Sequence, residues 1–181
     1  MGRDKARLQL RGRSMLSIVR ATAKETGHRV RVIRHDLVPR CGPLGGILTG
    51  LKSTRAGAVL FLACDMPLIT AALLHKLMRA SGANRKAVFS SQGGRLGFPL
   101  LLPARAADPV QKQIAAKNLS VQQLAVKLRV RKLRIGPRAA SQLFNVNTPE
   151  EACVVECHLD FMTEVRSEAA KLQLRTDSPR D

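Results

Sequence analysis

The apolar run Ala58-Val59-Leu60-Phe61-Leu62-Ala63-Cys64, which ends abruptly in Asp65-Met66-Pro67, is the stretch that decides the fold. A continuous apolar run of this length predicts a strand buried on both faces, which is typical of a parallel strand in an α/β sheet. Asp65 would then lie at the carboxyl edge of the sheet, where open α/β sheets bind their ligands. A strand-end aspartate that only caps the turn at Met66-Pro67 is the alternative.

A glycine-rich segment, Gly42-Pro43-Leu44-Gly45-Gly46-Ile47, lies shortly before this strand. It can offer backbone N–H groups without side-chain obstruction, and it leads into a helix predicted over residues 47–52. The start of a helix attracts anions. A lone carboxylate beside such a loop suits a Mg²⁺-nucleotide site, because Mg²⁺ is commonly held by one or two carboxylates and substrate phosphates. Without a ligand, the loop is a tight connection.

Local patterns predict that helices and strands alternate along the chain. Further helices are expected at residues 15–26, after Thr70, at 108–116, after Ser120 and after Thr148, and strands at residues 29–33, 58–64, 87–89, 98–102, 132–135 and 143–146. This alternation predicts a three-layer α/β/α sandwich with a mostly parallel, Rossmann-like sheet.

The composition is strongly basic, with a formal net charge of +18 from 31 Lys plus Arg against 13 Asp plus Glu. Such a field attracts polyanions, although a solvated, arginine-rich surface explains it most simply. No helix-turn-helix, zinc-finger or RNA-binding signature accompanies the charge. Aromatic residues make up only 3% of the chain, with no Trp or Tyr, which argues against a surface that stacks single-stranded bases on exposed rings. We therefore expect no nucleic-acid partner.

The four cysteines show no spacing typical of a disulfide framework, and Cys153, Cys157 and His158 are too few ligands for a metal site. No apolar stretch is long enough to span a membrane, and there is no signal peptide. Reduced cysteines without an export signal predict a cytoplasmic protein.

Four segments together resemble the nucleotidyltransferases of the molybdenum cofactor guanylyltransferase type. They are the glycine loop, the strand ending in Cys64-Asp65-Met66-Pro67, the opening Met1-Gly2-Arg3-Asp4-Lys5, and Phe144-Asn145-Val146-Asn147-Thr148-Pro149-Glu150-Glu151, in the family's order. The resemblance covers about residues 1–158, which we expect to form one nucleotidyltransferase domain. Residues 159–181 are expected to form a helical extension and a charged tail.

The resemblance implies a Mg²⁺-dependent transfer of GMP from GTP to a molybdopterin-type cofactor, with release of pyrophosphate. It assigns the metal to Asp65, the triphosphate to Lys5, and nucleotide contacts to Asp36 and to the loop residues Gly42, Pro43, Leu44, Gly45 and Gly46. By position alone, Lys5 is one more surface lysine in a basic segment.

Asn145 and Asn147 flank Val146 at the end of a predicted strand, so alternation places both side chains on one face. They can orient the metal, a phosphate or the acceptor, and the alternative role is turn formation before Thr148. Acceptor recognition differs from the family pattern at one position, because Phe98 stands where a histidine commonly precedes the proline that is Pro99 here.

In that family the Met-Gly-x-Asp-Lys stretch follows a buried first strand and a Leu-Ala-Gly-Gly loop. We therefore expect the chain as given to lack the first strand and most of the phosphate loop, and Met1 to be a misplaced start. Two other functions stay open: a cytidylyltransferase or sugar-phosphate nucleotidyltransferase of the same fold, and a non-catalytic protein that binds nucleotides or polyanions. The missing strand and the high charge favour the non-catalytic alternative.

Overall fold

The computed structural model describes residues 9–159 of the 181-residue chain. In this part of the chain, helices and strands alternate as the sequence predicts. In chain order the elements are β1 (Gln9–Leu10), β2 (Arg13–Ser14), α1 (Met15–Lys24), α2 (Pro43–Lys52), β3 (Ala58–Phe61), α3 (Ala71–Ser81), β4 (Val88–Gln92), β5 (Arg95–Pro103), a 3₁₀ helix (Ala104–Ala106), α4 (Ala107–Ala115), α5 (Val121–Lys127), β6 (Arg131–Arg134), a second 3₁₀ helix (Pro137–Leu143) and α6 (residues 149–159).

The main sheet contains four strands in the order β3-β5-β4-β6. β5 is antiparallel to both of its neighbours, and β4 is parallel to β6. Consequently β3, β4 and β6 run in one direction and β5 runs against them. The predicted α/β class is confirmed, with a mixed sheet. The predicted hairpin is also present, because Gln92 pairs with Arg95 across two glycines of positive φ.

Helices cover both faces of this sheet, which gives the three layers. On one face, α2, α4 and α5 pack against the side chains of Phe61, Phe89, Leu100 and Leu102. On the other face, α3 packs through Leu77 against Val88 and Leu101. Leu100, Leu101 and Leu102 therefore alternate between the two cores, as the side chains of a strand buried on both faces must.

Most helix starts agree with the predicted caps. The hydroxyls of Ser14, Thr70 and Ser120 accept hydrogen bonds from backbone N–H groups three residues later, at the starts of α1, α3 and α5. At the start of α6, Thr148 and Glu151 form a reciprocal capping box, in which each side chain accepts the other residue's N–H.

Two predicted strands are wrong. Residues 29–33 alternate in polarity but form no strand, and residues 143–146 consist of the end of a 3₁₀ helix followed by an irregular segment. Alternation describes where side chains point, whereas a strand also needs a backbone partner. The first segment packs on α2 instead. In the second, the Phe144 N–H donates to the Ser141 carbonyl (3.0 Å), which is a local turn bond, and the Val146 N–H donates to the distant carbonyl of Asp65 (2.7 Å).

β3 differs from the prediction in its extent and its neighbours. It ends at Phe61 rather than at residue 64, and its pairing is antiparallel, with β5. Within the described residues β3 is an edge strand, and Ala58, Val59 and Leu60 are half-buried because its second edge has no neighbour there.

The remaining differences lie at element boundaries. α2 begins at Pro43 rather than at residue 47, so the glycines belong to its first turn. α4 begins at Ala107, and Asp108 lies inside its first turn rather than at the cap. Of the predicted extension over 159–181, all but the first residue lies outside the described residues. No helix within residues 9–159 combines the length and the apolar content needed to cross a bilayer.

Candidate functional site

Asp65 lies four residues beyond the end of β3, in the loop that leads to α3. Its side chain is half-buried, and the Oδ1 atom is fully buried. Its backbone carbonyl accepts the N–H of Val146 at 2.7 Å. This hydrogen bond joins the loop after β3 to the segment before α6, two segments that are 81 residues apart in the chain (146 − 65).

Asn145 and Asn147 are thereby brought beside the Asp65 backbone. Val146 between them is completely buried and packs with Leu10 and Met15, whereas both asparagines are exposed. Burial thus alternates along residues 145–147 although they form no strand. The Asn147 N–H donates to Oε2 of Glu151 (2.6 Å), and its side-chain amide reaches the Asn145 carbonyl (3.4 Å). These contacts fix the turn and leave the Asn145 side chain exposed to solvent.

The glycine segment forms the first turn of α2. Gly42 is the residue before the helix and has a φ of +53°, and Pro43 occupies the first helical position. Leu44 is completely buried in the main core, so a ligand can reach it only through its backbone. Gly45 is buried and Gly46 half-buried.

The carboxylate of Asp36 lies against this turn. A Cβ placed on Gly45 would come within 2.6 Å of Asp36 Oδ2 and 3.0 Å of the Val38 carbonyl oxygen, whereas one on Gly46 would lie 3.6 Å from Asp36 Oδ1. Residue 45 must therefore be glycine if Asp36 keeps this position. A carboxylate at the N-terminal end of a helix is favourable, because the unpaired N–H groups carry partial positive charge.

Within residues 9–159 the expected site residues thus form two groups. One contains Asp65 with Asn145 and Asn147, and the other contains Asp36 with the first turn of α2. Lys5 lies outside the described residues.

Two further observations concern the pKa of Glu150 and the side chains that could bind a metal. The Glu150 carboxylate accepts hydrogen bonds from its own backbone N–H and from the Thr148 hydroxyl, and these lower its pKa. Residues 9–159 contain no group of three or more histidine, cysteine, aspartate or glutamate side chains that could hold a metal ion.

The sequence patterns do not define the roles of Phe98 and Thr49. Phe98, which replaces the expected histidine, is half-buried and packs against the main core. No sequence pattern indicates a role for Thr49, but its hydroxyl contacts both the glycine turn and the segment that carries Asp36. The only signal in the sequence is a threonine four residues after Gly45 in a predicted helix, a spacing that allows a bond to the Gly45 carbonyl.

Known proteins are similar to this chain in both sequence and fold. Residues 1–128 match the family model of the MobA-like NTP transferase domain. A molybdenum cofactor guanylyltransferase of Pseudomonas putida is 31% identical over 175 residues, which covers 82% of this chain and 86% of the relative. Another, from Xanthomonas euvesicatoria pv. vesicatoria, is 30% identical over 161 residues, which covers 83% of this chain and 85% of the relative.

Two solved structures give the same result for the fold. Molybdopterin-guanine dinucleotide biosynthesis protein A from Archaeoglobus fulgidus matches with a TM-score of 0.67 at 18% identity, over 88% of this chain and 92% of that one. The 4-diphosphocytidyl-2C-methyl-D-erythritolsynthase from Anaerococcus prevotii matches with a TM-score of 0.69 at 14% identity, over 86% of this chain and 93% of that one.

At such low identities the structural likeness shows the nucleotidyltransferase fold alone. The sequence match is more specific, because residues 1–128 include Asp36, the whole glycine turn and Asp65. The chain therefore belongs to the MobA-like NTP transferase domain family of nucleotidyltransferases.

Proposed function

We propose that this protein transfers GMP from GTP to a molybdopterin-type molybdenum cofactor and releases pyrophosphate, in a Mg²⁺-dependent reaction in the cytoplasm. The observation that carries this proposal is the match of most of the chain to molybdenum cofactor guanylyltransferases. The geometry supports it, because Asp65 and the glycine turn lie at ordered positions that suit a metal and a nucleotide. We assign the activity to a domain formed by residues 1–158.

The nucleotide is bound by Asp36 and the first turn of α2 in this proposal. Gly42, Gly45 and Gly46 present backbone without side chains, and Pro43 and Leu44 hold the turn in place from the helix. The Asp36 carboxylate already lies at the positive end of α2, so this end suits hydrogen-bond donors of a base or ribose better than a phosphate. Lys5 is assigned to the triphosphate, where a cation offsets negative charge.

The second group of site residues, Asp65 with Asn145 and Asn147, fits a divalent cation. Mg²⁺ prefers oxygen ligands and keeps several of them from water and substrate phosphates, so one carboxylate is sufficient from the protein. Asp65 is the residue that would hold it, with the amide oxygens of Asn145 and Asn147 available nearby. When bound, Mg²⁺ neutralises charge on the phosphates during transfer.

Asn145 and Asn147 are also candidates for orienting the acceptor. Transfer requires the acceptor phosphate and the α-phosphate of GTP to be placed in line, which is a task of positioning rather than of covalent chemistry. Exposed amides on a turn that is bonded to Asp65 suit that task.

Binding and transfer assays test the proposal. Calorimetric titration with GTP, CTP and ATP in the presence of Mg²⁺ should show tighter binding of GTP. Incubation with GTP and molybdopterin-type cofactor should release pyrophosphate in step with the guanylylated product.

Other outcomes identify the alternatives. A preference for CTP, or transfer only to a sugar phosphate, indicates another nucleotidyltransferase of this fold. Equal binding of all three nucleotides that weakens uniformly with salt, without transfer, indicates a non-catalytic polyanion-binding protein.

A further inference from the structure

Residues 31–38, which we call the strap, lie along α2. Near its beginning, the Arg31 guanidinium donates to the carbonyl of Ser53 (2.6 Å), just after the helix ends. Ile33 approaches Gly50, since a Cβ on that glycine would lie 3.3 Å from Ile33 Cδ1. Near the end of the strap, the N–H of Leu37 donates to Oγ1 of Thr49 (2.9 Å). The strap therefore runs from the C-terminal end of α2 toward its first turn.

The Thr49 hydroxyl makes hydrogen bonds both to α2 and to the strap. Its hydroxyl donates to the Gly45 carbonyl (2.8 Å) while it accepts the Leu37 N–H. One oxygen thus links the glycine turn of α2 to the backbone residue that follows Asp36. The Leu37 side chain is 61% exposed and does not anchor the strap, so the backbone bond to Thr49 takes that role.

The position of Asp36 depends on this attachment. Its carboxylate and the Val38 carbonyl lie close enough to Gly45 to exclude a methyl group there. The residue between them is the one held by Thr49. A strap that moved away from α2 at Leu37 would carry Asp36 away from the helix end.

We propose that Thr49 is a positioning residue for the nucleotide: its hydroxyl holds the strap so that the Asp36 carboxylate lies at the first turn of α2. This inference rests on the proposed function of Asp36 as a nucleotide contact. Thr49 acts through Asp36 and leaves Asp65 untouched. Its loss should therefore weaken the binding of GTP and leave the rate of transfer at saturating GTP unchanged.

The test compares Thr49→Val, which keeps the shape of the side chain but loses the hydroxyl, with Thr49→Ser, which keeps the hydroxyl. Each is made in the parent protein and in an Asp36→Ala background. GTP binding is measured by calorimetry with Mg²⁺, and the KM for GTP and kcat are measured in the transfer assay. Amide hydrogen exchange at Leu37 reports on the strap independently of any ligand.

We expect Thr49→Val to weaken GTP binding roughly three- to tenfold, the loss typical of one hydrogen bond, and to speed exchange at Leu37. Thr49→Ser should behave as the parent protein, and Thr49→Val should have little further effect once Asp36 is alanine. An equal loss in both backgrounds overturns the inference, as does unchanged affinity in Thr49→Val. Unchanged GTP binding in Asp36→Ala alone also overturns the positioning role of Thr49. The proposed function is decided separately, by whether the parent protein transfers GMP.

Discussion

Replacing Gly45 by alanine tests whether the strap and α2 are packed as closely as the structure shows. The new methyl group would lie 2.6 Å from Asp36 Oδ2 and 3.0 Å from the backbone carbonyl of Val38, so at least one of them must move. Gly46→Ala is the matched control, because its methyl group would be at an ordinary contact distance of 3.6 Å from Asp36 Oδ1. The two substitutions are adjacent in one helix, and only the first creates a clash.

The expected change in the free energy of unfolding follows from two opposing terms. Alanine is favoured over glycine in a helix by about 1 kcal/mol, and both variants gain this. Overpacking of a close contact costs about 1–3 kcal/mol, and only Gly45→Ala suffers it. We therefore expect Gly46→Ala to be as stable as the parent protein or more so. Gly45→Ala should be about 1–3 kcal/mol less stable than Gly46→Ala, which corresponds to a difference in Tm of about 2–12 °C for a chain of this size.

Thermal melting of the parent protein and the two variants at one protein concentration measures this difference. Adding Asp36→Ala to Gly45→Ala should recover part of the loss, since one of the two clashing groups is removed and the Val38 carbonyl remains. Equal melting temperatures for Gly45→Ala and Gly46→Ala would refute the close packing of Asp36 on the helix turn.

Two further predictions concern other parts of the molecule. Because hydrogen bonds lower the folded-state pKa of Glu150, its contribution to the start of α6 is present at neutral pH and is lost as the pH falls through that lowered value. The protection of the amides at the start of α6, relative to their intrinsic exchange rate at each pH, should therefore fall in acid in the parent protein and depend less on pH in Glu150→Gln. Gly50→Ala, whose methyl group would lie 2.5 Å from Phe61 Cε1, should have a lower Tm than Gly46→Ala, and an equal Tm would contradict the packing of α2 on β3.

The helix starts were predictable because their signals are local. Ser14, Thr70, Ser120 and Thr148 each accept a backbone N–H within three residues, and such a bond needs no distant partner. The hairpin of β4 and β5 was predictable for the same reason, since two consecutive glycines with positive φ form its turn.

The strands at 29–33 and 143–146 were predicted wrongly because a strand depends on a partner that periodicity does not contain. Residues 31–38 instead pack on α2 through Arg31 and Leu37, and Val146 makes its bond to the loop of Asp65. The length of β3 was overestimated because an apolar run reports burial, whereas pairing with β5 stops at Phe61.

For the candidate site, the residue types were predictable and their arrangement was not. The end of the apolar run indicated Asp65, and family resemblance indicated Asp36 and the glycine turn. The bond between Val146 and Asp65 joins residues far apart in the chain, and the contact between Asp36 and Gly45 depends on how the strap packs on α2. Thr49 went unnoticed because a threonine inside a helix is ordinary until its second hydrogen-bond partner is known.

The most direct test of the proposed function is the rate of GMP transfer to molybdopterin-type cofactor in Asp65→Asn and in Asp108→Asn, with GTP and Mg²⁺. Asp108 is a matched control, because its carboxylate is exposed on α4 and pairs with Lys52 at 3.8 Å. Both variants should keep the melting temperature of the parent protein to within a few degrees. We expect Asp108→Asn to retain full activity and Asp65→Asn to lose about 10²–10³-fold, by analogy with the loss of a group that stabilises developing charge. Unchanged transfer in a folded Asp65→Asn variant would contradict the assignment of the metal to Asp65.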